Sequence, residues 1–177
     1  DGTKDYLRYE GNEMSPMPIP GYPGAYIANG SEHDPMGDTT HLPDRHIQMT
    51  QRRFGKLKLL EDNIYESNLT EEPIAIMPWG GSKGPTEEAY EAILKKGVRL
   101  GWYFTMQINP LPPKMLQELR QKELVLVPEL NYQGQFSSVL RSHGVRAESI
   151  TQYTGLPFKV MYLVEEIIDR LQSSQRG

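Results

Sequence analysis

Residues 125–135 read Val-Leu-Val-Pro-Glu-Leu-Asn-Tyr-Gln-Gly-Gln, and this stretch organises the predicted fold. The apolar run over residues 124–127 has the length of a buried strand, and Pro128, which has no amide hydrogen, is expected to end it. Polar and small residues follow. The apolar residues that come next recur at helical spacing: Phe136, Val139 and Leu140. The stretch therefore predicts a strand that leads into a helix, over about residues 132–142, through a tight loop.

The polar residues of this loop lie where an open α/β sheet usually binds ligands or partners, at the carboxyl end of a strand. Asn131 is expected to cap the helix by accepting a hydrogen bond from a backbone amide. Gly134 and Gln135 are expected in the first turn, where amides are free. A strand–helix junction with a good cap and no further role explains the same residues, and spacing alone favours that interpretation.

Strands and helices alternate regularly in the C-terminal part of the chain. Strands are predicted over residues 74–77, 98–106, 124–127 and 147–152, and each is followed by a segment with an apolar helical stripe. This alternation predicts an α/β fold with three layers, in which a mostly parallel sheet has helices on both faces. The crossovers between strands are expected to be right-handed.

The N-terminal part of the chain has a different composition. Residues 1–40 are rich in Pro and Gly and are predicted to form an irregular arm that packs on another surface. One helix is predicted over residues 43–61, with an apolar stripe made by Ile47, Phe54, Leu57 and Leu60. Residues 66–72 are predicted to be a linker, 73–172 the α/β domain, and 173–177 a frayed tail.

Composition excludes several classes of function. The chain has 177 residues, a net charge of −4 and a pI of about 5.6, so affinity for nucleic acid or anionic membranes is not expected. It has no cysteine, which excludes disulfides, a thiol nucleophile and thiolate-bound zinc or iron–sulfur clusters within the chain. No apolar run approaches the roughly 20 residues of a membrane span, and a cytoplasmic location is predicted. Sequons at Asn29 and Asn68 leave a secreted glycoprotein as a weaker alternative.

The glycine-rich loop at residues 80–86 follows the first predicted strand and precedes a helix expected to open at Pro85. Backbone amides near Ser82, Lys83 and Gly84 have the right location to bind a carboxylate or phosphate. The loop matches neither GxxxxGK[ST] nor GxGxxG, however. A structural turn or a subunit contact is therefore favoured over an anion site.

Acidic and histidine residues cluster between residues 32 and 46, a composition typical of metal sites. Their spacing gives no HExxH arrangement, and the intervening Gly and Pro scatter the side chains. No metal site is predicted from them. The residues concerned are Glu32, His33, Asp34, Asp38, His41, Asp44 and His46.

In order along the chain, a set of short motifs resembles the C-terminal portion of the alpha subunit of 2-oxoacid:ferredoxin oxidoreductases, the type that includes 2-oxoglutarate enzymes. Met17 and Gly81 depart from the family pattern, in which Arg and Ser are common at these positions. The motifs are Arg8-Tyr9, Ser15-Pro-Met-Pro-Ile-Pro-Gly21, Glu32-His33-Asp34 with Gly37, Arg52-Arg53-Phe-Gly-Lys56-Leu57, Trp79-Gly80 with Lys83-Gly84, Pro110-Leu-Pro-Pro113, Glu129-Leu-Asn131-Tyr-Gln-Gly134-Gln135, Leu140-Arg141 and Gly155-Leu-Pro157.

The resemblance implies an organisation and an activity. Residues 1–65 would be the tail of a thiamine-diphosphate pyrimidine-type domain, and residues 73–172 a transketolase C-terminal-like domain. The parent enzyme would convert a 2-oxoacid such as 2-oxoglutarate to an acyl-CoA, using thiamine diphosphate, Mg²⁺, iron–sulfur clusters and coenzyme A, and would reduce ferredoxin. The implied partners are the beta subunit, the rest of the alpha subunit and ferredoxin, with a homodimer left open. By this resemblance the chain alone contains no catalytic, cofactor-binding or metal-binding residue and is inactive.

The residues present are therefore expected to serve assembly. The strand-end residues are predicted to line an interface or a ligand groove: Ser82, Lys83, Gly84, Glu129, Asn131, Gly134 and Gln135. An apolar surface near Tyr22, Tyr26 and Trp102 is expected to be covered only in a complex. The alternative hypothesis is a stand-alone α/β module that binds an anionic nucleotide or a CoA-like ligand near Gly84 and Asn131.

Overall fold

The computed structural model describes residues 7–11, 14–21, 26, 28–60 and 64–174. The chain divides into two compact units, Asp1–Glu61 and Asp62–Gly177, and each is considered by itself. Tyr22, Glu61 at the end of the predicted first helix, and residues 175–177 of the predicted tail lie outside the described residues. The assignment of the two parts to particular domain types stays a prediction.

Among its described residues the first unit contains one α-helix, α1 (Pro43–Gly55), which continues as a 3-10 turn over Lys56–Leu60. The predicted apolar stripe does not face a core, because Ile47 and Phe54 are both more than half exposed. The buried side chains of α1 are Met49 and Arg52 instead. The stripe was a wrong prediction because periodicity does not reveal that an arginine can be the inward-facing residue.

Arg52 is buried because the N-terminal arm supplies its hydrogen-bond acceptors. Its Nε donates to the carbonyl oxygen of Gly11 at 2.8 Å, and a terminal nitrogen donates to Ser15 Oγ at 2.9 Å. The guanidinium also lies 6.0 Å from the centre of the Tyr9 ring. A planar cation with several donors can be buried at low cost when backbone and hydroxyl oxygens surround it. The arm thus packs on α1 around an arginine.

Glu32 links the irregular segment to α1. Its two carboxylate oxygens each accept a 2.8 Å hydrogen bond from a different terminal nitrogen of Arg53. His46 Nδ1 also lies 2.8 Å from Glu32 Oε2. Asp34 Oδ1 accepts from the amides of Met36, Gly37 and Asp38, so it closes a turn. Glu32, Asp34 and His46 therefore help to hold this segment in shape.

The second unit contains a five-stranded sheet. Its strands are β1 (Glu66–Asn68), β2 (Ile74–Ile76), β3 (Gly101–Phe104), β4 (Leu124–Glu129) and β5 (Ala147–Thr151). Their order is β1-β3-β2-β4-β5, with β1 antiparallel at one edge and the other four strands parallel. The prediction of a mostly parallel sheet is confirmed. The predicted linker, 66–72, contributes the edge strand β1, whose polar and exposed residues gave no strand signal.

Helices cover both faces of this sheet, as expected. They are α2 (Lys83–Lys95), α3 (Pro113–Leu119), α4 (Gln135–Ser142) and α5 (Val160–Ser174). The core with α2 and α5 includes Ile76, Ile93, Trp102, Leu126 and Ile167. The core on the other face, with α3 and α4, includes Ala75, Met115, Val125, Phe136 and Leu140. The three-layer α/β prediction is confirmed.

Trp102 is part of the first of these cores. It is 5% exposed, and its ring centre lies 5.3 Å from that of Tyr90. The expected apolar surface near Trp102 is therefore wrong, since β1 and α2 cover this edge of the sheet. Tyr26 is half-buried in the first unit, against Tyr9 and Arg8.

Pro128 does not end β4, contrary to the prediction. The register pairs Pro128 with Ile150 and Glu129 with Thr151 of β5. β2 pairs with β4 only as far as Leu126, whose carbonyl accepts from the amide of Met77. Peptide groups of alternate residues face alternate neighbours in a ladder, so the missing amide of Pro128 faces the side where β2 has already ended. The strand can therefore continue to Glu129.

Within the described residues, no helix combines the length and apolarity that crossing a bilayer requires.

The Glu32–Arg53 contact generates a prediction about acid titration. The paired hydrogen bonds from Arg53 lower the pKa of Glu32 from 4.5 to about 2. A depressed carboxylate pKa stabilises the fold above pH 4.5, and this contribution is lost as the pH falls through about 2. In Arg53→Gln the pKa of Glu32 should rise towards 4.5, measured by carboxyl NMR titration.

Arg45→Gln is the matched control for that titration. Arg45 lies on the same helix and donates to Gln48 rather than to Glu32. The Arg45→Gln substitution removes the same charge as Arg53→Gln and should leave the pKa of Glu32 near its depressed value. Equal pKa shifts in the two variants would contradict the assignment to the Arg53 contact and indicate a general charge effect.

Candidate functional site

A cleft lies at the carboxyl ends of β2 and β4, the two central strands. The chain leaves β2 towards the face covered by α2 and leaves β4 towards the face covered by α4. Loops that diverge from neighbouring parallel strands leave a crevice at this topological switch point. The crevice has a volume of about 270 Å³ and is lined by Trp79, Gly80, Gly81, Ser82, Leu130, Asn131 and Gln135.

Glu129 lies beneath this cleft and is fully buried. One carboxylate oxygen accepts from the amide of Phe136 at 2.7 Å and from Asn131 Nδ2 at 2.9 Å. The other accepts from the amide of Ser137 at 3.0 Å. A buried carboxylate is tolerated only when hydrogen bonds and positive charge compensate for lost hydration. The N-terminus of α4 provides both, because its amides donate and its dipole is positive there.

The amides at the start of α4 are therefore already occupied. The backbone amide of Gln135 donates to Asn131 Oδ1 at 3.2 Å, and the backbone amides of Phe136 and Ser137 donate to Glu129. The prediction that Asn131 is the helix cap is wrong, because Gly134 is the N-cap residue and the amide that Asn131 accepts from lies four residues on, at the first residue of α4. The expectation of free amides here is wrong. An anionic ligand at this helix would meet the Glu129 carboxylate instead of open donors.

Ser82 fastens the loop after β2 to the end of β4. Its Oγ lies 2.9 Å from the carbonyl oxygen of Pro128 and 2.8 Å from that of Trp79, and the two carbonyls share its one hydroxyl proton. The same oxygen accepts from the amide of Trp79 at 3.2 Å. Ser82 lines the cleft, but its hydroxyl is committed to the backbone.

Lys83 is directed away from the cleft. Its Nζ lies 2.8 Å from Glu66 Oε1 on β1 and 4.2 Å from the centre of the Phe104 ring. An ammonium group between a carboxylate and an aromatic face is held at that edge of the sheet. Gly84 lies in the first turn of α2, which begins at Lys83 rather than at the expected Pro85, and it is not among the cleft-lining residues.

Of the predicted site residues, the structure brings Ser82, Asn131 and Gln135 together at the cleft. Glu129 and Gly134 are buried behind it. Sequence reasoning missed Trp79 and Leu130, although both are apolar residues inside loops of mostly small or polar residues, which is a usable signal. Gly81 lies in the cleft wall, where an added Cβ would meet no atom within 4 Å. That these residues meet a ligand or a partner stays a prediction.

The cleft has a neutral lining. Among the described residues, those that line it carry amide, hydroxyl, indole and aliphatic groups, and none is ionisable. The described part of the chain also contains no group of three or more acidic or histidine side chains arranged for a metal ion. Such a surface can bind through hydrogen bonds and apolar contact, but its side chains do not include a general acid, a general base or a cation for a phosphate.

Comparison with known proteins defines the class to which this fold and site belong. No family model matches the chain. The "2-oxoacid:ferredoxin oxidoreductase 2, subunit alpha" of Aeropyrum pernix is 30% identical over 93% of the chain, and the "2-oxoglutarate oxidoreductase subunit KorA" of Mycobacterium tuberculosis is 31% identical over 79%. The chain spans 28% and 22% of these relatives' own lengths.

A solved structure gives the same result. The 2-oxoglutarate:ferredoxin oxidoreductase from Magnetococcus marinus, which was solved with 2-oxoglutarate, coenzyme A and succinyl-CoA bound, matches with a TM-score of 0.70 and 29% identity. The match covers 96% of this chain and 31% of that one. The chain is thus homologous to part of the alpha subunit of 2-oxoacid:ferredoxin oxidoreductases, and the predicted resemblance is confirmed.

The buried Glu129 generates a prediction about stability. Glu129→Gln replaces one acceptor oxygen by an amide group, which faces a backbone donor of α4. A buried donor left without an acceptor costs about 1–3 kcal/mol, and the helix dipole loses its compensating charge. The free energy of unfolding should fall by about 2–4 kcal/mol in urea denaturation. Glu148→Gln, at a half-exposed carboxylate of β5, is the control and should change it little. Equal losses in both variants would refute the capping role.

Gly134 generates a second prediction. Its φ is +63°, and an added Cβ would lie 2.6 Å from Ser149 Oγ on β5. Gly80 has a similar φ of +54° but no atom within 4 Å of such a Cβ. Gly80→Ala should therefore lower the free energy of unfolding only by the about 1–2 kcal/mol that a left-handed backbone conformation costs a residue with a Cβ. Gly134→Ala should lower it clearly more, because its Cβ would also meet Ser149 Oγ. Adding Ser149→Ala should restore part of the extra loss in denaturation experiments. Equal losses at the two glycines would contradict the contact with β5.

Proposed function

We propose that this chain is the C-terminal part of the alpha subunit of a cytoplasmic 2-oxoacid:ferredoxin oxidoreductase and acts as its assembly domain. The parent complex would oxidatively decarboxylate a 2-oxoacid such as 2-oxoglutarate to an acyl-CoA and reduce ferredoxin. The observation that carries the proposal is the match to the Magnetococcus marinus enzyme over 96% of this chain. The neutral cleft supports a role in contact rather than in chemistry.

Two features of this chain argue against it holding the cofactors of such an enzyme by itself. Iron–sulfur clusters are usually held by cysteine thiolates, and the chain has no cysteine. A diphosphate needs cations or open backbone amides, yet the first amides of α4 are occupied by Glu129 and Asn131. We therefore assign thiamine diphosphate, Mg²⁺, the clusters and coenzyme A to the rest of the alpha subunit and to the beta subunit.

The domain assignment belongs to the same proposal. Residues 1–65 would end the thiamine-diphosphate pyrimidine-type domain, and residues 73–172 would be the transketolase C-terminal-like domain. The parallel sheet with helices on both faces supports the second assignment. Fold alone does not carry an activity, so the activity rests on the homology.

The proposal is tested by reconstitution. The 177-residue chain should turn over no 2-oxoacid by itself and should associate with the remaining alpha polypeptide and the beta subunit, as measured by light scattering after size exclusion. The assembled sample should reduce ferredoxin with 2-oxoglutarate and coenzyme A, and omission of the chain should abolish or strongly reduce this activity. Failure to associate, or micromolar binding of coenzyme A, ATP or thiamine diphosphate to the chain alone in calorimetry, would contradict the proposal.

A further inference from the structure

The two ends of the parallel sheet differ sharply in charge. Charged residues make up 24% of the chain. The loops that follow the four parallel strands nevertheless contain a single charged residue, Lys159, directly before α5; these loops are residues 77–82, 105–112, 130–134 and 152–159. At the opposite end, the loops over residues 69–73, 95–100, 120–123 and 143–146 each carry at least one charged residue. Because the four strands are parallel, these sparsely charged loops all lie at the carboxyl edge.

The loops at the carboxyl edge expose large apolar side chains. Met106 is 82% exposed and Tyr132 is 74% exposed, while Tyr153 and Leu156 are each exposed by about two thirds. The rings of Tyr132 and Tyr153, from two different loops, meet edge to face at 5.0 Å between centres. Leu130 adds a further exposed side chain at the rim of the cleft. These five residues, together with the cleft, are named the carboxyl-edge surface.

This composition is that of the centre of a protein–protein interface. Interface cores are depleted of charged residues and enriched in aromatic residues and Met, whereas an ordinary solvated surface is rich in charge. A large exposed apolar patch on a stable domain commonly marks a docking site. A pair of ordered aromatic rings supplies contact area with little loss of conformational freedom on binding.

The chemistry of this surface selects its occupant. Carboxylate and phosphate ligands, which include 2-oxoacids and coenzyme A, are usually bound by cations or open backbone amides. In these loops the one cation is Lys159, beside α5, and the first amides of α4 are occupied. Lys83, the first charged residue after the β2 loop, is paired with Glu66. The related alpha subunits are more than three times as long as the aligned chain, which spans 28% of one relative and 31% of the solved chain. They therefore contain ample further polypeptide that could cover an apolar surface.

We infer that the carboxyl-edge surface is the docking face for an uncharged, apolar surface on the remaining part of the alpha subunit. The inference rests on the proposed function and adds to it the face used and the chemistry of the partner. Docking buries Tyr132, Tyr153 and Leu156 and closes the cleft between the loops after β2 and β4. The charged amino edge of the sheet stays in solvent.

The test places a single charge on this surface in the reconstituted enzyme. Tyr132→Asp should weaken association of the chain with the remaining alpha polypeptide and the beta subunit at least tenfold, since a buried charge without a partner is unfavourable. Leu156→Asp, on a separate loop, should have the same effect. Gln121→Asp introduces the same charge at the exposed amino edge and should change affinity less than twofold. Circular dichroism melting checks that each variant is folded.

Hydrogen exchange provides a readout that needs no variant. Amides of residues 130–135 and 152–156 should exchange more slowly in the complex than in the free chain. A complex that forms with unchanged exchange there and tolerates Tyr132→Asp would overturn this inference and leave the proposed function intact. Self-association of the free chain, abolished by Tyr132→Asp, would overturn it in favour of a second copy as occupant. If the unmodified chain forms no complex, the proposed function fails first and this inference with it.

Discussion

The contact on which the C-terminal unit depends is the buried carboxylate of Glu129 at the N-terminus of α4. It compensates the helix dipole, accepts from two backbone amides and is oriented by Asn131. It also fixes where β4 ends and α4 begins, and therefore the width of the cleft at the switch point. The same interaction that stabilises the junction removes the open amides that would make it an anion site. The Glu129 contact thus determines both the structure of this junction and what it can bind.

The loop after β2 is attached to this junction through Ser82, whose hydroxyl lies within hydrogen-bond distance of the carbonyl of Pro128. The carbonyl of Pro128 is available because β2 no longer pairs with β4 at this position. Two loops that diverge towards opposite faces are therefore joined by one side chain. A cleft with walls tied in this way is pre-organised, which lowers the entropy lost when a partner closes it.

The layered fold could be predicted well from the sequence because buried apolar residues recur with the period of a helix or a strand. The apolar stripes of α4 and α5 and the strand beginning at Leu124 are buried as expected. Polar residues show no such recurrence that would reveal the direction of their side chains. Glu129 and Lys83 were both expected at a groove, yet one is buried under a helix and the other is paired with Glu66 on a strand that had no strand signal. Arg52 likewise replaced an apolar stripe as the inward face of α1. In each case a tertiary hydrogen-bond partner, distant in sequence, decided the direction of the side chain.

The distribution of charge extends this argument from single residues to the whole domain. Charged side chains at the amino edge of the sheet keep that end hydrated, while the sparsely charged carboxyl edge combines a neutral cleft with exposed aromatic rings. Catalysis at strand ends usually requires acids, bases or cations, and Lys159 is the one Asp, Glu, Lys, Arg or His in the four loops that follow the parallel strands. In a fold whose carboxyl edge commonly carries chemistry, this scarcity of charge favours the inference that the edge contacts another protein surface.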